Sequence, residues 1–131
     1  MKSLEDVAYH EAGHAIAHLL VKKPFRKITI IPKKDYDGIV IGKLMTIDCR
    51  DLIYISAAGF VTDSLRGLGI ADGIESDIKN CHWYCREMDF DDKAEELYME
   101  FQIYQLKQDL IKNWQKVEKV ADKLLDKKTL K

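Results

Sequence analysis

The segment Tyr9-His10-Glu11-Ala12-Gly13-His14 sets two imidazoles four residues apart, with a carboxylate directly after the first. Positions i and i+4 share one face of a helix, so both rings can reach a single Zn²⁺ ion. Glu11 then stands beside the ion, placed to take a proton from a water activated there. The chemistry this spacing offers is hydrolytic.

A catalytic zinc commonly takes three protein ligands and keeps one position open, so a third ligand must come from elsewhere. His18 does not qualify: eight residues from His10 is about 12 Å along a helix axis, too far for one ion, and it reads as a packed or surface residue. The longer metzincin pattern also fails, because Ala15 to Lys23 supplies neither its glycine nor its further histidine. Downstream candidates are Asp72, Glu75, Asp77, Cys81, His82 and Cys85. Asp77 is the best local choice, a hard carboxylate in the first turn of an expected helix. The same position also suits a carboxylate that only complements the helix dipole. Cys81-His82-x-x-Cys85 offers soft ligands at helical spacing, but no second pair completes a structural site, and the thiols read as buried and inert.

Positioning this motif falls to a helix that starts at Ser3, with Asp6 as its capping partner, and runs to Leu20, before Lys22-Lys23-Pro24. A β-branched run over 25–31 and Ile39-Val40-Ile41, separated by turn residues 33–38, predict a hairpin or two-strand edge. Asp48 or Asp51 caps a second helix through Leu65, apolar around most of its circumference and therefore central. Residues 71–75 read as a loop, and Glu75 or Ser76 opens a third helix to about Met88. From residue 74 to 131 there is neither glycine nor proline, and Leu97, Phe101, Tyr104, Ile111, Trp114, Val117, Ala121 and Leu124 trace one long helix or two nearly continuous ones. The fold class is mostly α with a small β-hairpin or sheet, an α+β arrangement.

At 131 residues the chain has room for one domain, read as spanning 1–131. Lys and Arg number 21 against 22 Asp and Glu, and the net charge of −1 leaves no basic excess for nucleic acid or an acidic membrane surface. No apolar run reaches the ~20 residues of a membrane span, and the start is too acidic for a signal peptide, so a cytoplasmic protein is expected. Three cysteines cannot close a disulfide framework, which fits a reducing compartment.

The residues resemble the zinc peptidase domain of the FtsH-type ATP-dependent proteases. The resemblance begins at Val7-Ala8-Tyr9-His10-Glu11-Ala12-Gly13-His14-Ala15 and continues through Lys27-Ile28-Thr29-Ile30-Ile31-Pro32. It extends to Ala57-Ala58-Gly59, to Glu75-Ser76-Asp77-Ile78 and to Leu124 through Leu130. It implies His10, His14 and Asp77 as zinc ligands, Glu11 as catalytic base, and the edge around Gly38-Ile39-Val40-Ile41-Gly42 as a strand that holds an extended substrate. The chain departs from the family at Phe60, where an arginine is usual, and at Asp63, in a region of paired glutamates. These departures bear on the family's hexamer contacts.

What the resemblance implies is a zinc metallopeptidase, with one Zn²⁺ per chain, acting on short or unstructured polypeptides. No Walker A glycine loop occurs, so the chain is expected to act without its own ATPase. Its partners would be a peptide or unfolded protein, with a homo-oligomer or a separate ATPase chain compatible with the pattern. Tyr9, His82 and Tyr84 are candidates to stabilise the oxyanion. A non-catalytic module that keeps the fold and holds a partner peptide is the competing reading, and the intact Glu11 argues against it.

Overall fold

The computed structural model describes residues 2–33, 38–42, 47–68 and 74–131. Most of the turn expected over 33–38, and the loop with Asp72, lie outside the described residues, as does the side chain of Glu75.

Helix α1 (Leu4–Leu20) opens as its sequence predicts: the Ser3 hydroxyl accepts from the Asp6 amide while the Asp6 carboxylate accepts from the Ser3 amide. Strands β1 (Phe25–Thr29) and β2 (Ile39–Gly42) pair antiparallel, with Ile28 opposite Val40 and Thr29 opposite Ile39. Helix α2 (Cys49–Leu65) is capped by the Asp48 carboxylate, which accepts from the Asp51 amide. Helix α3 is Ile74–Glu87, α4 is Asp92–Lys112, α5 is Trp114–Lys127, and β3 is Thr129–Leu130. The chain is mostly α with a small three-stranded sheet in the order β2-β1-β3.

Alanines explain how closely α1 and α2 cross. Ala8, Ala12, Ala15, Ala57 and Ala58 are all fully buried, and a Cβ on Gly13 would fall on the Thr62 side chain, 3.0 Å from the Ala58 carbonyl oxygen. Only glycine lets the zinc-motif helix approach α2 this tightly. Larger side chains, among them Ile16, Ile28, Ile53, Leu106, Leu110, Val117 and Leu124, close the core around the pair.

Of the two alternatives for the C-terminal stripe the chain takes two nearly continuous helices, and β3 was not expected. The C-terminal helix breaks at Asn113, whose side chain donates to the Asp109 carbonyl at 2.8 Å, because α4 packs on α2 whereas α5 packs on α1. A change of packing partner, rather than a local breaker residue, ends α4. After α5 the chain turns through Lys128 at φ 66° and adds β3 to the open edge of β1, where Ile28 faces Leu130. Two strand residues carry too little pattern to be read in advance. No described helix is long and apolar enough to cross a membrane.

Candidate metal centre

His10 and His14 project from one face of α1, both buried, and their ring centroids lie 4.9 Å apart. Facing them, α2 presents Ile55, Gly59 and Asp63, spaced four apart and so on one stripe of the helix. Each member of that stripe does something different. The Ile55 carbonyl accepts from His14 Nδ1 at 2.7 Å. Asp63 Oδ2 accepts from His10 Nδ1 at 2.9 Å. At Gly59 a Cβ would fall on the Nε2 atoms of both rings, so the missing side chain is what keeps the space in front of them open.

Asp77, in the first turn of α3, closes the third side. Its Oδ2 lies 3.0 Å from His10 Nε2 and 3.2 Å from His14 Nε2, and the two Nε2 atoms are 3.2 Å apart. In the tautomer that donates from Nδ1 to Asp63 and to the Ile55 carbonyl, each Nε2 turns a lone pair inward, and the carboxylate oxygen adds another. Three acceptors converging on one point call for positive charge between them, a proton or a metal cation. With zinc bonds of about 2.0–2.1 Å the edge of a tetrahedron is roughly 3.3 Å, close to this triangle. The residues present fit a zinc ion.

The charges report the same demand. Burial pulls the His14 ring down, but the Asp77 charge and hydrogen bond, with Glu11 behind them, outweigh it and leave its pKa raised to about 9. His10 is likewise raised against burial by its bonds to Asp63 and Asp77. Burial would lift Asp77, yet the two imidazoles hold it well below the ordinary carboxylate range. Glu11 behaves oppositely: burial raises it despite both rings. Its ligand atom lies within 4.8 Å of those of His10 and His14, so two carboxylates near the same rings have opposite proton affinities.

Behind His10 stands a pair that sequence reading did not assign. Lys2, with its side chain only 5% exposed, donates to Asp63 Oδ2 at 2.8 Å, and its Nζ is 2.7 Å from His10 Nδ1. One carboxylate oxygen thus holds both a lysine and an imidazole N–H, while Asp63 Oδ1 is buried without a partner among the described residues. Asp63 stands in the sequence as a departure from paired glutamates. Only its spacing from Gly59 and Ile55 on one helical stripe could have flagged it.

Other candidates fall away from this centre. His18 is buried and donates through Nδ1 to the Lys23 carbonyl at 2.7 Å, ending α1 as a packed residue. His82 is exposed and bonded to Glu95. Cys81 and Cys85 are buried free thiols, the former donating to the Ile53 carbonyl. Tyr9 is held between Trp114, stacked at 6.0 Å, and Arg66, 4.3 Å above its ring, and Tyr84 packs edge-on to Trp83.

A profile of peptidase family M41 matches residues 1–88, which span α1 through α3 and hold every group of the centre. The chain belongs to peptidase family M41. A curated relative is the ATP-dependent zinc metalloprotease FtsH 2 of Methylacidiphilum infernorum (isolate V4), 31% identical over 94 residues. That stretch is 62% of this chain and 14% of the relative. Membership in M41, a zinc metalloprotease family, supports a peptidase, and the buried His10, Glu11 and His14 group is where this member can hold metal. The fold and family anticipated from the HEAGH helix and the segments after it stand confirmed.

Proposed function

We propose that this chain is a zinc-dependent metallopeptidase that hydrolyses peptide bonds in short or unstructured polypeptides. One Zn²⁺ is held by His10, His14 and Asp77, with Glu11 as the catalytic base. The observation that carries this reading is the 3.0–3.2 Å triangle of two imidazole nitrogens and one carboxylate oxygen, with both outer ring nitrogens already committed. When bound, zinc would polarise the scissile carbonyl and acidify a water beside it.

The remaining steps belong to the chain's own groups. Glu11, buried beside both rings, takes a proton from the attacking water and returns it to the leaving amine. In the metal-free chain burial pushes its proton affinity up, the direction a general base needs. Asp63 and the Ile55 carbonyl fix the proton on Nδ1 of each histidine and so aim both Nε2 lone pairs inward. Asp77, held ionised, offsets charge at the centre.

Substrate would lie along β2. Among the described strands it pairs only with β1, leaving its outer edge free, and a Cβ at Gly38 would meet the Glu11 side chain at 2.9 Å. An extended peptide added to that edge passes the base. The polypeptide would arrive there already extended, from solution or from an ATPase that unfolds it. Turnover of an unfolded casein-type substrate, abolished by Glu11→Gln and by chelation and restored by zinc, is the expected result. Full zinc occupancy with no turnover on any unstructured substrate overturns the proposed activity, leaving a module that only holds peptides.

A further inference from the structure

Helix α4 is apolar on two opposite faces. Its inner face, Gln102, Leu106 and Leu110, is buried against the core. On the other side Leu97, Phe101, Tyr104 and Ile111 are each more than half exposed. With Ala94 and Gln108 they fall at alternating steps of three and four, the repeat of a two-helix seam. An apolar stripe along about four turns of helix is more than the scattered exposure of an ordinary surface.

The charges beside the stripe select the occupant. Glu100 and Lys107 lie on the same flank, seven residues apart, and neither has an ion pair within the described residues. If a second α4 lies antiparallel, Phe101 packs on Tyr104 of the partner subunit and Leu97 on Gln108 of the partner subunit. Ala94 then makes room for Ile111 of the partner subunit. In that register Glu100 meets Lys107 of the partner subunit, and the twofold axis repeats the contact. A parallel pair would instead set Lys107 against Lys112 of the partner subunit, like charge on like. The stripe is complementary to itself in one orientation.

We propose that this chain forms a homodimer through an antiparallel α4–α4 seam centred on Phe101 and Tyr104. The test is sedimentation equilibrium of the full chain from micromolar to sub-millimolar concentration. Wild type should double its 15.2 kDa mass with concentration, and Phe101→Glu should remain monomeric at every concentration. Glu100→Lys and Lys107→Glu should each weaken the dimer at least severalfold, and the double reversal should restore it. Unchanged far-ultraviolet circular dichroism shows that each variant folds, with Ile111→Glu as a second disruptor on the same stripe. A wild type that stays monomeric overturns the proposal and leaves the stripe to a different chain. A dimer indifferent to Phe101→Glu, or a double reversal no tighter than the single ones, overturns it equally.

Discussion

Glu11 and Asp77 are carboxylates beside the same two imidazoles, and their surroundings divide the work between them. Asp77 sits within 3.2 Å of both Nε2 atoms and is held ionised by them, whereas burial makes Glu11 proton-avid. Glu11→Gln should therefore leave zinc binding intact while lowering kcat by orders of magnitude. Asp63 acts one step further out. Asp63→Ala should weaken zinc binding by about 10–100-fold in a chelator competition, because the His10 ring loses the acceptor that aims it. Unaltered affinity would mean that the ring is oriented by packing alone. In the metal-free chain His14 takes up a proton in place of the ion, with a pKa raised from 6.5 to about 9. A folded-state pKa above the unfolded one gives stability that is full below about 6.5 and is lost as pH rises through about 9. The melting temperature of chelator-treated protein should fall across that window, and saturating zinc should flatten the slope.

At the scale of elements, the α1–α2 crossing sets the site. Gly13 and Gly59 are two absences at that crossing: one lets the backbones meet, the other leaves room before the rings. Gly13→Ala should cost about 1–3 kcal/mol in denaturant unfolding through overpacking against Thr62. Helix α3 delivers Asp77 and also buries Cys81 and Cys85, with Cys81 pushed up to about 12 by burial and by Asp77. A thiol reagent near neutral pH should modify half-buried Cys49 in the folded chain and the other two only after denaturation. Much of this was legible in the sequence, because α1 carries its capping box, its 3.6-residue period and its ligands in one unbroken run. Asp77 was legible only in part, since a first-turn carboxylate has the same pattern whether it caps a dipole or faces two histidines. Asp63, Lys2 and the Ile55 carbonyl were not, because their roles arise from pairings 53, 61 and 41 residues apart in the chain. Two nearly continuous helices were one expected outcome, but the place of the break, Asn113, and the β3 pairing follow from packing partners that no local signal names.

For the whole molecule, one buried centre ties together three helices, so metal occupancy and global stability should move together. Zinc at about 100 times its dissociation constant should add about 2.7 kcal/mol, roughly a 10 °C rise in melting temperature for a chain of this size. The central claim is that His10, His14 and Asp77 hold one zinc and Glu11 does not. Its most direct test is the zinc content of purified wild type, His14→Ala, Asp77→Ala and Glu11→Gln by elemental mass spectrometry. The account predicts one zinc per chain in wild type and Glu11→Gln and none in the other two. Zinc retained in Asp77→Ala would remove Asp77 from the ligand set, and zinc lost in Glu11→Gln would make Glu11 a ligand and leave the chemistry without its base.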